Sequence, residues 1–495
     1  MKMRCMFMTV PYKWRALSVT SLGALLSILD GSIFIIALPT IMEGLDADLL
    51  TVTWIIMGYM LIMTLLVPTF GRIADMVGRK KLYVSGFILF TAASLFCGTA
   101  LSGFQLLIFR MIQAVGGSLL VANGAAIVTD AFPKEELGTA MGINSMIFGA
   151  GAAIGPVLGG FLLQFGWRFI FFVNIPTGVI GTIWGAVQLK ELVNFSKAQK
   201  FDWGGTTLFT IGLTGLLVGL SFGGFVGWSN PAVPGLILAG ALCFLLFMRT
   251  EKRVEFPMMD LRLFEGSRVA YQYGAALLNA IARGAVVFLL TFFLQIILAL
   301  SPITAAVYLT PFAVTQAVGS PVSGRLADRY GTRWLTTIGL LMSAAGLLGM
   351  MFISIDTSFL LLVSWMGLMG FGSGLFFSPN AKVIMESVPP RKRGIATGVR
   401  SMLFNAGQVL SLGLALAIVS SAISLEALTN LFLGLQVGSE GVEIAEFISG
   451  IRLVFTISFA ATLLAAFVSS RKGVMPLWEN NGDENPSGEA ANAGA

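Results

Sequence analysis

Two side chains of opposite charge stand inside long apolar segments of this sequence and could do chemistry there. Asp30 is the only carboxylate well inside an apolar segment of the first half, and Arg110 lies inside the fourth such segment. A buried arginine is costly unless it is paired, so Asp30 is the best candidate for its partner. At about 1.5 Å of helix per residue, the two lie at similar depths. We predict a functional ion pair; the alternative is a pair with a structural role only.

Histidine is absent from the 495 residues, which limits the possible proton chemistry. Histidine relays, histidine metal sites and Ser-His-Asp catalysis are excluded. Proton transfer would depend on carboxylates, and Asp30 is the candidate inside the first half. A conformational change that alters its distance from Arg110 would change how readily it binds a proton. The sequence has no phosphate-binding loop and no metal-binding cysteine spacing, so we expect no cofactor beyond a proton gradient as the energy source.

The composition indicates a membrane protein. Charged residues make up 11% of the chain, against about 25% in soluble proteins, and apolar residues make up 56%. A soluble enzyme and a DNA-binding protein are therefore excluded, and the net charge of +6 does not indicate a nucleic-acid partner. The expected surroundings of the chain are a lipid bilayer.

Fourteen segments are long and apolar enough to cross a bilayer as helices. They cover roughly residues 16–38, 51–70, 82–101, 104–128, 139–163, 168–188, 205–224, 232–248, 268–297, 302–323, 334–354, 358–380, 394–420 and 448–470. Nearly all of the 31 basic residues fall at one face of this arrangement. Because basic loops stay in the cytoplasm, we expect a multi-pass protein of the plasma or inner membrane with both termini cytoplasmic.

The loop between the second and third segments carries a charged motif. It begins at Gly71 and contains Asp75, Gly78 and Arg79. A glycine at position 71 allows a neighbouring backbone to approach closely, and the Asp75 carboxylate can lie at a helix N-terminus, where the dipole is positive. Arg79 can pair with Asp130 at the inner end of the fourth segment. We interpret this loop as part of a conformational gate; the alternative is a basic loop that only sets the topology.

The motif recurs in the second half of the chain. GRIADMVGRK begins at Gly71, and GRLADRYGTR, which contains Asp328, begins at Gly324, 253 residues later. A second match joins the segments that begin at Pro133 and Pro389, 256 residues apart. Two similar separations at two separate places indicate an internal duplication rather than a chance match between Gly- and Ala-rich stretches. Segments 1–6 are therefore predicted to repeat as segments 9–14.

The duplication predicts an all-α polytopic membrane protein with two six-helix halves and two inserted linker helices. The first half covers residues 1–190, and the linker with its two extra transmembrane helices covers 191–265. The second half covers 266–472, and residues 473–495 form a polar tail that we expect to be disordered in the cytoplasm.

With these features the chain resembles the major facilitator superfamily and, within it, the fourteen-spanner drug:proton antiporter family. The resemblance covers roughly residues 16–470. It implies that Asp75 faces the N-terminus of segment 13, in a clasp between the halves that holds the outward-open state. Arg110 and Gln113 resemble the family's buried-arginine motif, although Ala114 stands where the family usually has glycine.

Segment 5 resembles the antiporter motif of the same family. Its motif residues are Gly142, Gly151, Gly155, Pro156, Gly159 and Gly160. Small residues four positions apart allow close helix packing, and Pro156 can kink the helix. The second copy of the repeat has Ser411 and Leu412 where the first has Gly155 and Pro156. Close packing alone is one interpretation, whereas the resemblance implies export by antiport.

The candidate residues of a substrate cavity form a less specific set. They are Gln113 in the first half and Asn279, Arg283, Phe292 and Gln295 in the second. Arg283 has no evident counter-ion, so an anionic substrate and pairing with carbonyl groups both stay open. Each single aromatic residue in this region favours packing in the core or against lipid over ligand binding.

The resemblance implies a monomeric secondary transporter, not an enzyme, that exports amphipathic or lipophilic small molecules in exchange for protons by alternating access. Asp30 would couple the cycle to protons, with Arg110 as its partner. The same fold could instead transport a single endogenous metabolite, and a membrane-embedded enzyme or sensor is the remote alternative. The expected partners are the small-molecule substrate, protons and the bilayer.

Overall fold

The structure, a computed structural model, describes residues 10–133, 136–191, 201–227, 230–254, 257–259, 264, 267–388, 393–422 and 440–471. Within these ranges it contains fourteen long helices and no strand, which confirms the predicted fold class. In chain order they are α1 Tyr12–Leu45, α2 Leu49–Val77, α3 Arg79–Gly98, α4 Gly103–Ala131, α5 Leu137–Leu162, α6 Phe169–Phe172 with Asn174–Gln188, α7 Trp203–Val226, α8 Ala232–Glu251, α9 Ser267–Arg283 with Val286–Phe292, α10 Pro302–Tyr330, α11 Thr332–Met350, α12 Phe359–Glu386, α13 Arg393–Ala422 and α14 Glu440–Ser470. A π-helical turn, Phe293–Ile297, ends α9.

Of these described helices, 13 are both long and apolar enough to cross a membrane, one fewer than the sequence predicts. The exception is α10, which at 29 residues has sufficient length but contains several threonine, serine and proline residues. These residues are tolerated because α10 packs along α5 and α12, where Ser320 and Ser323 are buried. Valines such as Val307, Val314 and Val318 occupy its exposed face.

The duplication is visible in the register of the helices. Helices α2 and α10 each have 29 residues, and their first residues, Leu49 and Pro302, are 253 positions apart. Each helix ends at a glycine with positive φ, 119° at Gly78 and 79° at Gly331, a backbone conformation that strongly favours glycine. The register shows that the repeat continues without insertion through α2 and its following turn.

Packing repeats in the same way. Within the first half, α3 packs on α4 and α1 packs on α5; within the second, α11 packs on α12 and α9 on α13. The halves meet along two seams, where α2 packs against α13 and α5 packs against α10. The repeat relates the two seams to each other, because α10 is the second copy of α2 and α13 is the second copy of α5. Substrate pathways of this architecture lie between such halves, so the seams position any central site.

The inserted helices α7 and α8 pack against each other, and α7 also packs on both α13 and α2. On the α2 side, the Trp54 and Phe222 rings lie 5.3 Å apart. On the α13 side, a methyl group added at Gly413 would meet Cα of Ser221 at 2.8 Å, so the two backbones are in close contact. The inserted pair therefore covers one seam from outside.

Candidate functional site

Asp30 and Arg110 form a buried ion pair between α1 and α4. Arg110 Nη1 donates a hydrogen bond to Asp30 Oδ2 at 2.6 Å, and each side chain is 2% exposed. The two helices pack along each other, so the similar depths estimated from the sequence bring the charges together. Charge-assisted hydrogen bonds of this kind are among the strongest in proteins, and they stabilise the ionised carboxylate.

Two amides complete the shell around the Asp30 carboxylate. Gln113 Nε2 and Asn174 Nδ2 both donate to Asp30 Oδ1, at 3.0 Å and 2.8 Å. Gln113 lies one turn after Arg110 and accepts a hydrogen bond from Arg110 Nη1 at 2.6 Å, while its amide also donates to Ser94 Oγ at 2.8 Å. Asn174 begins the second part of α6, so the break in that helix delivers an amide to the carboxylate.

Aromatic rings enclose the guanidinium group of Arg110. Its central carbon lies 4.2 Å from the Phe34 ring centroid and 4.5 Å from that of Tyr59, with Phe171 at 5.8 Å. Rings at this distance attract a cation and exclude water. Arg110 Nε has no hydrogen-bond partner among the described residues. The ion pair is therefore enclosed by its own hydrogen-bond partners and by aromatic rings.

The network makes the charge of Asp30 and the position of Arg110 depend on each other. Three donors converge on the Asp30 carboxylate, from Arg110, Gln113 and Asn174. Protonation of Asp30 would leave the Arg110 charge without compensation inside the protein, which favours a different arrangement of α1 and α4. Of the predicted residues, Asp30, Arg110 and Gln113 come together here. Asn174 was missed, and its signal in the sequence was a lone polar amide near the start of an apolar segment.

Arg79 and Asp130 form an ion pair between the start of α3 and the end of α4, as the sequence predicts. Arg79 Nη1 also donates to the backbone carbonyl of Ala126 at 3.3 Å. Glu191, missed at the sequence level, accepts the backbone N–H groups of Arg79 at 3.0 Å and Lys80 at 3.2 Å. A carboxylate at a helix N-terminus satisfies unpaired N–H groups and the helix dipole. The side chains of Asp75 and Asp328 lie outside the described residues.

No described backbone of a neighbouring helix approaches Gly71 in this conformation, so the close approach inferred from the sequence stays a prediction. A methyl group added at Gly71 would meet no described atom of a neighbouring helix within 4 Å. At the repeat-related Gly324 the nearest such atom is Ser378 Oγ, at 3.4 Å. Helices α2 and α13 instead approach at Pro68 and Gly398, where an added methyl would lie 3.5 Å from the Pro68 Cα. The contact is formed at Gly398 because the halves meet one turn before the motif.

Four glycines of the antiporter motif, Gly151, Gly155, Gly159 and Gly160, lie at two helix crossings. The surroundings of Gly142, the first glycine of the motif, lie outside the described residues. On the α1 side, a methyl group at Gly159 would lie 3.2 Å from the Ile33 Cα, and one at Gly155 would collide with the Ser32 hydroxyl. Gly151 likewise faces Ile28 on α1. On the other side, a methyl at Gly160 would lie 2.9 Å from a Cα of α10. Helix α5 therefore touches α1 and the opposite half through its small residues, and it continues through Pro156.

Two residues predicted for the substrate cavity make packing contacts in this conformation, and their role in a cavity stays a prediction. Gln295 Nε2 donates to the backbone carbonyl of Ile36 at 3.2 Å, a contact between α9 and α1. Phe292 is fully buried, with its ring centroid 4.7 Å from that of Phe288. Gln295 therefore helps to join the two halves, whereas the ring contact of Phe292 lies within α9.

Asn279 and Arg283 lie in an aromatic region of the second half. The Arg283 guanidinium lies 5.3 Å from the ring centroid of Phe312 and 5.7 Å from that of Phe404. Asn279 lines a small cavity together with Phe404 and Arg400. Arg400, on α13, was missed in the sequence because it stands close to the end of an apolar segment and reads as part of its basic flank.

Arg283 occupies the repeat-related position of Asp30. The two residues are 253 positions apart, the same separation as Leu49 and Pro302. Helices α4 and α5 repeat as α12 and α13 with a separation of 256 positions. This separation relates Gly155 to Ser411 and Arg110 to Met366. The second half therefore has a cation at the position of the carboxylate and an apolar side chain at the position of its partner.

Comparison with known proteins places this arrangement in a family. The sequence pattern of the Major Facilitator Superfamily matches residues 20–248 and 273–475. The chain is 34% identical over 401 residues to the riboflavin transporter RibZ of Clostridioides difficile, covering 80% of this chain and 86% of the relative. It is 33% identical to the multidrug resistance protein Stp of Mycobacterium tuberculosis, covering 78% of this chain and 72% of that relative. It is 30% identical to the tetracenomycin C resistance and export protein of Streptomyces glaucescens, covering 80% of this chain and 73% of that relative.

Solved structures show the same fold. A bacterial homologue of the human lysosomal transporter Spinster, in an inward-facing and unoccupied conformation, superposes with a TM-score of 0.62 at 17% identity, covering 93% of this chain and 97% of that one. The human organic anion transporter MFSD10 superposes with a TM-score of 0.64 at 15% identity, covering 93% and 100%. The sequence match, the relatives and the repeated helix packing show that this chain is a multi-pass membrane protein that belongs to the Major Facilitator Superfamily of transporters.

Proposed function

We propose that this transporter exports amphipathic, lipophilic small molecules in exchange for protons. The observation that carries the proposal is the Asp30 carboxylate, which is buried in mid-helix and held by Arg110, Gln113 and Asn174. An antiporter needs a group that binds a proton in one conformation and releases it in another. Asp30 meets this need if the cycle separates it from Arg110, because loss of the nearby cation favours the protonated form.

The relatives support an export function. Two of those described above carry names that refer to multidrug resistance and to resistance and export. The glycine motif of α5 adds a structural reason, since it lets α5 contact both α1 and the opposite half, where a change of conformation must be transmitted. We propose that the clasp formed by the α2–α3 motif, with Arg79 and Asp130, controls the same change.

A single endogenous substrate is the second candidate, because one relative is named for riboflavin transport. The two candidates differ in selectivity. Cells that express the chain should resist several unrelated amphipathic compounds if the transporter is of the multidrug type. Resistance to none of them, combined with saturable transport of one metabolite such as riboflavin, would favour the single-substrate alternative.

The test of proton coupling is transport in proteoliposomes under an imposed pH gradient. Wild-type protein should accumulate amphipathic dyes against their gradient and release a counter-flow of protons. Asp30→Asn should abolish uphill transport but retain dye exchange at equilibrium. Glu43→Gln is the matched control, since Glu43 is an exposed carboxylate on the same helix. Uphill transport by Asp30→Asn at the wild-type rate would overturn the assignment.

We also propose that the protein functions as a monomer in the cell membrane with both termini cytoplasmic. Basic residues flank the helices at the face that contains Arg79 and Lys190, which supports this orientation. Reporter tags at the N-terminus, at residue 195 and at the C-terminus should all indicate the cytoplasm. A report from the opposite side at residue 195 would contradict the proposed topology.

A further inference from the structure

Arg283 has unused hydrogen-bonding capacity in the interior of the second half. Its Nη1 atom is buried and has no hydrogen-bond partner among the described residues. The residue ends the first part of α9, so the carbonyl groups at that helix terminus and the rings of Phe312 and Phe404 partly offset its charge. None of these groups uses the free N–H, and no carboxylate contacts Arg283 in the described part of the chain.

Arg400 is a second cation, half-buried, without a described carboxylate partner. Its Nε donates to Asn380 Oδ1 at 3.3 Å, and its Nη2 donates to the Phe377 carbonyl at 3.3 Å. Asn380 is itself fixed by two hydrogen bonds to Gln272, each 3.0 Å long. The guanidinium is therefore held in place by neutral groups, which orient it but do not neutralise its charge.

Aromatic rings connect the two arginines. Arg400 lies 4.1 Å from the Phe377 ring centroid, Phe377 lies 5.9 Å from Phe404, and Phe404 lies 5.7 Å from Arg283. The cavity beside these rings is lined by Ala276, Asn279, Phe376, Phe377, Asn380, Arg400 and Phe404. In this conformation it has about 10 Å³ of free volume, the space of one water molecule, so a ligand could bind only after the residues that line it move apart.

The charge balance differs from that of the first half. Arg110 is neutralised by Asp30, whereas Arg283 and Arg400 leave two positive charges beside an aromatic wall. A guanidinium binds carboxylates and other oxyanions through paired N–H groups, and a desolvated site strengthens such contacts. A flat aromatic compound with an acidic group would satisfy both features, with its ring on the phenylalanines and its anion on the arginines.

We propose that Arg283 and Arg400 form an anion-binding subsite, so that the preferred substrates are aromatic compounds with a carboxylate or similar oxyanion. This inference rests on the proposed function as a small-molecule transporter. The buried carboxylate of Asp30 does not favour cations in this conformation, because Arg110 already neutralises it. Cations would gain no free charge in the first half and would meet repulsion in the second.

Binding of two dyes of opposite charge tests the proposal. Carboxyfluorescein is anionic and rhodamine 123 is cationic, and both contain the same xanthene ring system. Fluorescence anisotropy with purified wild-type protein should give at least about tenfold tighter binding of carboxyfluorescein, the effect of about one charged hydrogen bond. Arg283→Gln and Arg400→Gln should each weaken carboxyfluorescein binding by about tenfold. Rhodamine 123 should bind these variants as tightly as it binds the wild type or more tightly, because a repelling positive charge is removed.

Arg329→Gln is the matched control, because Arg329 is exposed at the end of α10. It should bind both dyes as the wild type does. Wild-type protein that prefers rhodamine 123 or binds neither dye would overturn the proposal, and so would variants that weaken both dyes equally. Proton coupling is measured separately: a dye that binds with the expected preference but moves independently of the pH gradient would refute the antiport function and leave the subsite standing.

Discussion

The two repeat-related helices α1 and α9 carry opposite charges at corresponding positions. On α1, Asp30 is enclosed by an arginine and two amides, and the helix runs unbroken from Tyr12–Leu45. On α9, Arg283 has no described counter-ion, and the helix breaks directly after it. One half therefore has a self-contained ionic network, and the other has charge that is available to a ligand.

The helix crossings next to these residues differ in a related way. Ser32 on α1 faces Gly155 on α5, whereas Ser411 on α13 accepts the N–H of Ala285 on α9 at 2.9 Å. In the first half the serine of this crossing is on α1. In the second half it is on α13, which is the repeat of α5 and not of α1. The duplication therefore preserved the packing of the helices but not the polar and charged side chains at their crossings. Each half can perform a separate task as a result.

The largest effect is expected for Arg110→Ala. Removal of one partner from a buried ion pair typically costs about 3–5 kcal/mol, because the other charge is left unpaired. Arg283→Ala should change stability by about 1 kcal/mol or less, since it removes only contacts with rings and an unpaired charge. Unfolding of the purified variants in detergent measures both. Equal losses for the two variants would break the comparison between the halves.

A double variant sharpens this result. Asp30→Asn in the Arg110→Ala background removes the stranded charge, so it should recover part of the lost stability. The coupling energy from the four proteins then reports the ion pair itself. If the double variant were less stable than Arg110→Ala alone, the loss would come from packing of the arginine side chain rather than from its charge.

An intermediate effect is expected for Ser411→Ala. The variant leaves the Ala285 N–H without its acceptor at the break of α9, a loss of about 1–3 kcal/mol. Ser32→Ala should cost less, because the Ser32 hydroxyl bonds mainly to carbonyl groups of its own helix, such as Ile28 at 2.8 Å. The same unfolding measurement compares them, and a larger loss for Ser32→Ala would reverse the assignment of the structural hydroxyl.

The smallest effect is expected for Gly71→Ala. The new methyl group meets open space, and alanine stabilises a helix interior by about 0.5–1 kcal/mol relative to glycine. Stability should therefore be unchanged or slightly raised. Transport by this variant tests the close approach that the described conformation lacks. If the variant has normal stability but does not transport, another conformation of the cycle needs a glycine at position 71. If it transports normally, no conformation of the cycle needs this glycine.

The sequence predicted the all-helical fold, the duplication and the Asp30–Arg110 contact, because each leaves a direct mark. Apolar segments of about 20 residues report helix positions, and the cost of an unpaired buried arginine requires a partner such as Asp30. The Arg79–Asp130 contact was predicted in the same way, from charges at adjoining helix ends.

Other features could not be predicted because they depend on how helices rotate and cross. Gln295 and Phe292 were predicted to line a cavity, yet in this structure Gln295 contacts α1 across the halves and the Phe292 ring packs on Phe288. Asn174 reaches Asp30 because α6 is interrupted just before it. Pro176 indicates such an interruption in the sequence, but it does not specify where the Asn174 amide points. Close contact at Gly398 rather than Gly71 likewise follows from where two helix axes approach.

The neutral Asp30–Arg110 pair also determines how the membrane voltage acts on the proposed cycle. The pair has no net charge when Asp30 is ionised and one positive charge when Asp30 carries a proton. A voltage of 100 mV acts on one elementary charge with about 2.3 kcal/mol, and a difference of one pH unit contributes about 1.4 kcal/mol. An inside-negative voltage would therefore pull the protonated centre toward the cytoplasm, and it could drive the cycle in cells whose external and internal pH are equal.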